Sequence, residues 1–538
     1  MTEQSAASRA PTRDAGSENF PVASRLLAPE IRPKVLGFYR FVRTADDIAD
    51  DPSLDASEKL RRLATLEAAL DDPATAEPAA MCLHAAGSGT DEARLMLSAF
   101  RQDATQTRYA DWAALEDYCA RSANPVGRML LRLHNETKPE AIAAADALCT
   151  ALQILNHLQD LVPDRRDIGR VYLPESWMDL AGGEAQFFDP ANTEARRAVL
   201  DAALDQVEER LDAAAALPRL IAAKRLARES AVTITLARRL LVRLRVADPV
   251  LGRVALSRLD FLHGFRAALS TGPSDAALVS ARVGRAGSSF ARGMSALKGE
   301  RRRALWAVYA FCRAVDDIAD GAMPEAEKRR FLSDWRNKLR APDCALSREL
   351  ALARNAFALP IEECEAMIAG METDATPSLR LADTEALNLY CRRVAGSVGA
   401  MAVRIFGAPE AADFGLALGR TLQLVNILRD LDEDAARDRI YLPRDVLAAE
   451  GVVDAPAATL IASTGFARAE AELRHLDQRA LLPARIMMWG YQRLFERLMA
   501  RGFGLPRPRP RLTRGEKLRM ATFALGIAPV PQASASRA

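Results

Sequence analysis

The sequence predicts an all-α fold built twice in tandem, and three observations carry that expectation. Ala- and Leu-rich segments with apolar residues three and four apart, such as LDAALDQVEERLDAAAAL, recur along the chain, and no stretch alternates like a strand for long. An acidic signature occurs twice in the same internal order: Asp316 follows Asp46, Gln423 follows Gln153 and Asp434 follows Asp164, each at an offset of 270 residues, the mark of a duplicated domain. At 538 residues the chain exceeds what one core usually holds, which agrees with two domains of similar size.

Residues 1–17 are polar and small, with no apolar signal region, and are expected to be disordered. The first domain, 18–265, contains FYRFVRTADDIAD, with Tyr39, Arg43, Asp46, Asp47 and Asp50. A central helix, YCARSANPVG, carries Tyr118. The segment QILNHLQDLVPD carries Gln153, Asn156, Asp160 and Asp164 and runs into RVYLP. Residues 266–274, within RAALSTGPSDAA, form a turn-rich linker. The second domain, 275–503, repeats the order: GSSF with Ser288 and Ser289; VYAFCRAVDDIAD with Tyr309, Arg313, Asp316, Asp317 and Asp320; YCRRVAGSVG with Tyr390. It ends with QLVNILRDLDED, holding Gln423, Asn426, Arg429, Asp430 and Asp434, and then RIYLP. Residues 504–538 are a basic and apolar tail whose end is expected to be disordered.

Residues four apart on an α-helix share one face, about 6 Å apart along the axis. Asp46 with Asp50, Asp160 with Asp164, Asp316 with Asp320 and Asp430 with Asp434 therefore pair, and bare like charges at that spacing repel. A cation must compensate them. Hard oxygen ligands suit Mg²⁺, with Mn²⁺ as the alternative ion, shared with the phosphates of a substrate. Gln153 and Asn156, like Gln423 and Asn426, extend the polar stripe without adding charge along an otherwise apolar helix. A single DDxxD is common on solvated helix faces, whereas four matched pairs with the same Tyr, Arg, Gln and Asn companions are not.

Composition excludes several classes. Lys and Arg number 73 against 71 Asp and Glu, a net charge of +2, so no field for nucleic acid exists. The seven cysteines form no CxxC and sit mostly in apolar helices, as packing thiols of a cytoplasmic protein do. His84, His134, His157, His263 and His475 show no paired ligand spacing, so zinc and a catalytic triad lack support. His157, inside the second motif, reads first as a structural helix residue and second as a group that could hold a water. No strand followed by GxGxxG appears, and NADPH is not expected. No run reaches about 18 consecutive apolar residues, the length of a membrane span. In the tail, Arg507, Arg509, Arg511, Arg514, Lys517 and Arg519 precede a short apolar segment. They read either as a peripheral contact with anionic lipid on the inner face of the membrane or as a solvated linker with a core-docking helix.

Taken together these motifs resemble the squalene and phytoene synthase family, the head-to-head prenyltransferases, over nearly the whole chain. The resemblance implies an isoprenoid-synthase helical fold in which the two aspartate motifs of each domain face each other across an apolar cavity. It implies Mg²⁺ at Asp46, Asp50, Asp160 and Asp164 and at Asp316, Asp320, Asp430 and Asp434. Diphosphate contacts would come from Tyr39, Arg43, Gln153 and Asn156 in the first domain. Their counterparts in the second are Ser288, Ser289, Tyr309, Arg313, Gln423, Asn426 and Arg429. Arg43 and Arg313 suit phosphate because the guanidinium fork matches its geometry. Tyr390, and Tyr118 as its counterpart, are the candidates for assisting proton removal.

The second half, with GSSF, METD at Asp374, VAGSVG and Arg429, looks like a presqualene diphosphate synthase, which joins two farnesyl diphosphates. The first half, with ENFPVAS and RSANPVG, resembles the bacterial hydroxysqualene synthases, which ionise presqualene diphosphate and capture the cation with water. Its Glu18, Asn19 and Gln159 replace Ser288, Ser289 and Arg429, a weaker grip on a second diphosphate or plain drift. Arg292 departs from the aromatics usual after GSS in the family. The expectation is a prenyl transferase with a lyase- or hydrolase-type second step, feeding hopanoid biosynthesis and a downstream flavin-dependent reductase. The alternatives are a tandem phytoene or dehydrosqualene synthase, a class I terpene cyclase, disfavoured by the second DxxxD, or one half acting only as a stabilising partner.

Overall fold

The computed structural model describes residues 26–87, 89–267, 273–285, 297–449, 452–453, 455–505 and 507–531. Residues 1–17, Glu18, Asn19, Ser288, Ser289, Arg292 and positions 268–272 of the linker lie outside the described residues. The chain divides into two compact units, Met1–Ser274 with Gly321–Pro324, and Asp275–Asp320 with Glu325–Ala538. Among the described residues the fold is all-α; extended structure is limited to two short two-stranded ladders and one isolated bridge.

In the first unit the first aspartate helix, Arg32–Asp50, starts with a proline in its first turn, where the missing N–H costs nothing. It buries Phe38, Phe41, Ala45 and Ile48, a three-and-four repeat, and leaves Tyr39, Arg43, Asp46 and Asp50 half-buried on another face. Helix Thr90–Asp103 packs on it and ends at the buried Asp103. The tyrosine helix, Trp112–Ser122, is capped by Asp111, which accepts from the Ala114 backbone N–H at 2.8 Å. It breaks at Ala123, because Pro125 begins the next helix, Asn124–Leu133. The second aspartate helix, Pro139–Gln159, is the one described helix long and apolar enough to cross a membrane; it packs against Asn124–Leu133 and Thr193–Ala214 as a core element.

The second unit repeats this order with Gly299–Asp320, Ile361–Asp374, Thr384–Cys391, Ser397–Phe406 and Ala412–Arg429. Asp383 caps the tyrosine helix as Asp111 does, through the Ala386 N–H. Here no proline intervenes, and the chain passes through a π-helical turn, Arg392–Gly396, directly into Ser397–Phe406. Gly399 is required by close approach: a Cβ there would stand 2.0 Å from the Gly415 carbonyl oxygen. Gly127 holds the same place in the first unit, where an added Cβ would stand 2.8 Å from the Cys149 Sγ.

Candidate active site

The two tyrosine helices position a phenol against a buried carboxylate. Tyr118 donates to Asp103 Oδ2 at 2.7 Å, and Tyr390 donates to Asp374 Oδ2 at 2.9 Å. Burial raises Asp103 to about 7, opposed by the Arg170 charge and the Tyr118 hydrogen bond. Burial likewise raises Asp374 to about 7, opposed by hydrogen bonds from Tyr441 and Tyr390. Both phenols are pushed well above their ordinary value, first by burial and then by the neighbouring carboxylate. Neither carboxylate nor the arginine of RVYLP or RIYLP figured among the expected site residues. The signal was legible: the triplet DAT recurs at Asp103 and Asp374, and R-x-Y at Arg170 and Arg439.

A short extended pairing brings the R-x-Y segment to that carboxylate. Arg108 bridges to Val171 in the first unit, and Leu379–Arg380 pairs in parallel with Arg439–Ile440 in the second. Arg170, 3% exposed, then reaches Asp50 Oδ1 at 2.5 Å and the backbone oxygens of Ala49 and Asp103. Arg439 reaches Asp320 Oδ1 at 2.5 Å and the Asp374 backbone oxygen at 2.9 Å. One guanidinium, buried in the first unit and half-buried in the second, thus ties the end of the first aspartate helix to the tyrosine–carboxylate pair.

The first aspartate motifs behave alike. Arg43 binds Asp46 at 2.9 Å and Asp47 at 2.6 Å; Arg313 binds Asp316 at 2.8 Å and Asp317 at 2.7 Å. Asp46 is raised well above the carboxylate range by burial and then by Asp50, and Asp316 to about 6 by burial and then by Asp320. For Asp320 burial is outweighed by Arg439 and Arg437, which hold it low.

The second motifs depart from the one-helix expectation. Each helix breaks at its first aspartate, Asp160 or Asp430, while the Asp164 and Asp434 backbone N–H groups still bond to the Asp160 and Asp430 carbonyls at 2.8 and 2.9 Å. The i,i+4 relation therefore survives a kink. Asp434 is raised to about 6 by burial and then by Asp430. Arg429 folds back on Asp430, with its Nε 2.7 Å from Oδ1, whereas Gln159 is buried and donates to the Val254 carbonyl at 2.6 Å. Asn426 donates to Gln423 at 3.3 Å.

A further arginine meets each second motif. Arg253 lies 3.5 Å from Asp160, and Arg509 lies 2.9 Å from Asp430 and 3.0 Å from Glu433, while Arg507 binds Asp432. Arg507 is half-buried, whereas Arg509 stays exposed while it pairs with Asp430, as do Arg511, Arg514, Lys517 and Arg519 without that pairing. The apolar part of the tail docks on Leu482–Arg501, with Phe523 and Val530 against Ile486 and Trp489. The pattern R-x-x-L-[ST]-R at Arg253 and Arg509 could have flagged both arginines.

In the first unit these residues open onto a cavity of about 470 Å³. Tyr39, Arg43, Asp46, Asp50 and Tyr118 line it, as do Gln153, Asn156, His157 and Asp164; Asp160 does not. Phe38, Phe100, Met129, Leu148 and Leu152 make the rest of the wall apolar. The arrangement can seat an anionic head among carboxylates and arginines and an apolar chain beyond it.

The profile of the squalene/phytoene synthase family matches residues 13–260 and again 283–516. The chain belongs to the squalene/phytoene synthase family. Relatives named for two reactions cover its two halves. The presqualene diphosphate synthase of Rhodopseudomonas palustris is 39% identical over 254 residues, 43% of this chain and 91% of that protein. The hydroxysqualene synthase of the same organism is 40% identical over 262 residues, 47% of this chain and 88% of that protein. A crystal structure of a squalene synthase from Alicyclobacillus acidocaldarius is 27% identical, with a TM-score of 0.38, covering 42% of this chain and 87% of that one.

The donor set fits the divalent ion expected in such a squalene/phytoene synthase site. Among the described residues no three His, Cys, Asp or Glu side chains form a group able to hold a metal by themselves. Mg²⁺ is usually taken by one or two carboxylates together with substrate phosphates. The raised Asp46, Asp316 and Asp434, each beside a second carboxylate, are groups a cation would relieve.

Proposed function

We propose that this squalene/phytoene synthase family member is a bifunctional, Mg²⁺-dependent enzyme. The second unit would couple two farnesyl diphosphates to presqualene diphosphate, and the first would convert that product to hydroxysqualene. One observation carries the two-step reading: both units keep the same aspartate, arginine and tyrosine frame but line it differently. Gln159 and His157 of the first unit stand where the second has Arg429 and Ile427. Relatives of both kinds support it.

Asp46, Asp50, Asp160 and Asp164 in one unit, and Asp316, Asp320, Asp430 and Asp434 in the other, would hold Mg²⁺. When bound, the ion supplies positive charge to a departing diphosphate. Tyr39, Arg43, Gln153 and Asn156, with Tyr309, Arg313, Gln423 and Asn426, orient the diphosphate, joined by Arg253 and Arg509. Ser288, Ser289 and Arg429 belong to the same reading for the second diphosphate. The apolar wall keeps bulk water from the cation. Tyr390 accepts the proton lost on ring closure as its own passes to Asp374, and Tyr118 with Asp103 is the corresponding pair. Exposed Arg514, Lys517 and Arg519 beside Leu518 suit contact with anionic lipid.

The deciding experiment gives purified protein farnesyl diphosphate and Mg²⁺, with and without NADPH, and identifies the extracted products by mass spectrometry. Hydroxysqualene without reductant is expected. Asp316→Asn should abolish all product from farnesyl diphosphate yet spare turnover of added presqualene diphosphate, and Asp46→Asn should make presqualene diphosphate accumulate. Squalene formed only with NADPH, or a longer-chain hydrocarbon from longer substrates alone, would overturn the reading.

A further inference from the structure

The buried polar atoms of the first unit that have no hydrogen-bond partner among the described residues include His157 Nε2, Tyr109 Oη and Asp103 Oδ1. These three belong to one cluster. The His157 ring lies flat on Tyr172, with centroids 3.6 Å apart and planes at 16°, and Tyr109 packs 5.6 Å from Tyr172 and 5.4 Å from Tyr118. His157 also lines the cavity, one helical turn beyond Gln153 and next to Asn156.

The second unit lacks this feature at equivalent positions. Ile427 follows Asn426 where His157 follows Asn156, and Leu381 follows Arg380 where Tyr109 follows Arg108, both arginines lying in the matching extended pairing. Tyr441 there closes on the second oxygen of Asp374 at 2.7 Å, so both carboxylate oxygens are satisfied. The unpartnered atoms are therefore specific to the first unit, not a property of the duplicated fold. Buried polar groups that find no protein partner are ordinarily satisfied by ordered water.

We propose that His157 holds the water molecule that captures the carbocation in the first unit and accepts its proton, a proposal that rests on the first unit being the hydroxysqualene-forming one. The bond between carbon and diphosphate oxygen breaks with its electron pair on the diphosphate. The water oxygen forms the new bond to the cationic carbon. Its extra proton passes to the free imidazole nitrogen and then to the released diphosphate, giving an alcohol and diphosphate in balance. Burial, and then the Arg170 charge, lower the His157 pKa to about 3, so the ring is neutral at working pH. A neutral ring can take a proton from an oxonium and does not repel the cation. Stacking on Tyr172 fixes its plane.

The test uses the full chain with added presqualene diphosphate and Mg²⁺, comparing wild type with His157→Phe and His157→Gln. The readout is the ratio of C30 alcohol to C30 hydrocarbon, which does not depend on how much protein is folded. His157→Phe keeps the stacked ring and is expected to lower that ratio at least 10-fold, as the cation loses a proton to give an alkene instead. His157→Gln, which can still bind water, is expected to restore part of it, and it carries the test alone if the Phe variant does not fold. An unchanged ratio in either variant, with wild type making the alcohol, overturns the role of His157 and leaves the two-step reading standing. Wild type that makes no alcohol from presqualene diphosphate overturns that reading, and the proposal with it.

Discussion

The Tyr390 hydroxyl donates to Asp374 Oδ2 across 2.9 Å, and Tyr441 donates to the other oxygen of the same carboxylate at 2.7 Å. All three groups are buried, so neither partner can turn to solvent if the other is removed.

Tyr390→Phe leaves Asp374 Oδ2 without its donor in a low-dielectric interior, a loss of about 1–3 kcal/mol. The thermal midpoint of the second unit should fall by several degrees, and formation of presqualene diphosphate should fall at least 10-fold. Calorimetry and product analysis check the two effects separately; full coupling activity in a destabilised variant would remove Tyr390 from the chemistry.

Asp374 is held at about 7 by burial, against an ordinary 3.8. A folded-state value above the unfolded one means that the folded protein binds the proton more tightly. Its stabilising effect is therefore full below about pH 4 and is lost as pH rises to about 7. Asp374→Asn should flatten this part of the stability curve in metal-free protein. Denaturant titrations of wild type and variant between pH 4 and 7 measure the difference, which must shrink with rising pH.

Mg²⁺ and inorganic diphosphate together should stabilise the protein more than either alone, by about 2.7 kcal/mol at 100 times the dissociation constant. Asp50→Asn and Asp320→Asn should each remove the shift of one unit only. Identical thermal scans of both variants with chelator and with the pair of ligands test this; an undiminished shift in both would place the ion elsewhere.

Gly399→Ala forces a Cβ within 2.0 Å of a backbone oxygen, which no rotamer change relieves. Overpacking of this kind costs about 1–3 kcal/mol or more. At Gly127→Ala the one contact under 3.0 Å is to the Cys149 Sγ, with Ala145 at ordinary distance, and the change should cost less. Midpoints of the two variants rank the effects.

Much of the site was legible because its chemistry is local. Asp46 with Asp50 and Gln153 with Asn156 are helical neighbours, and helical spacing is written directly in the chain. The partners of Tyr118 and Tyr390 were not, although DAT and R-x-Y recur, since nothing local says that Asp103 lies beside Tyr118 or that Arg170 reaches Asp50, 120 residues away. The kink at Asp160 and Asp430 also escaped, because backbone bonding continues through it. By composition the basic tail reads either as lipid contact or as a linker with a core-docking helix, and only folding could supply the acidic partners of Arg507 and Arg509 and the packing of Phe523 on Trp489.

By itself the sequence determined the duplication, the helical class, the carboxylate pairs and their arginine companions, all consequences of period and composition. Tertiary structure alone decided which buried groups are satisfied. Hydrogen-bond partners across a core come from distant segments, and so the difference between Asp374, with a tyrosine on each oxygen, and Asp103, with Tyr118 on one oxygen and no hydrogen bond to the other, could emerge only when those segments met.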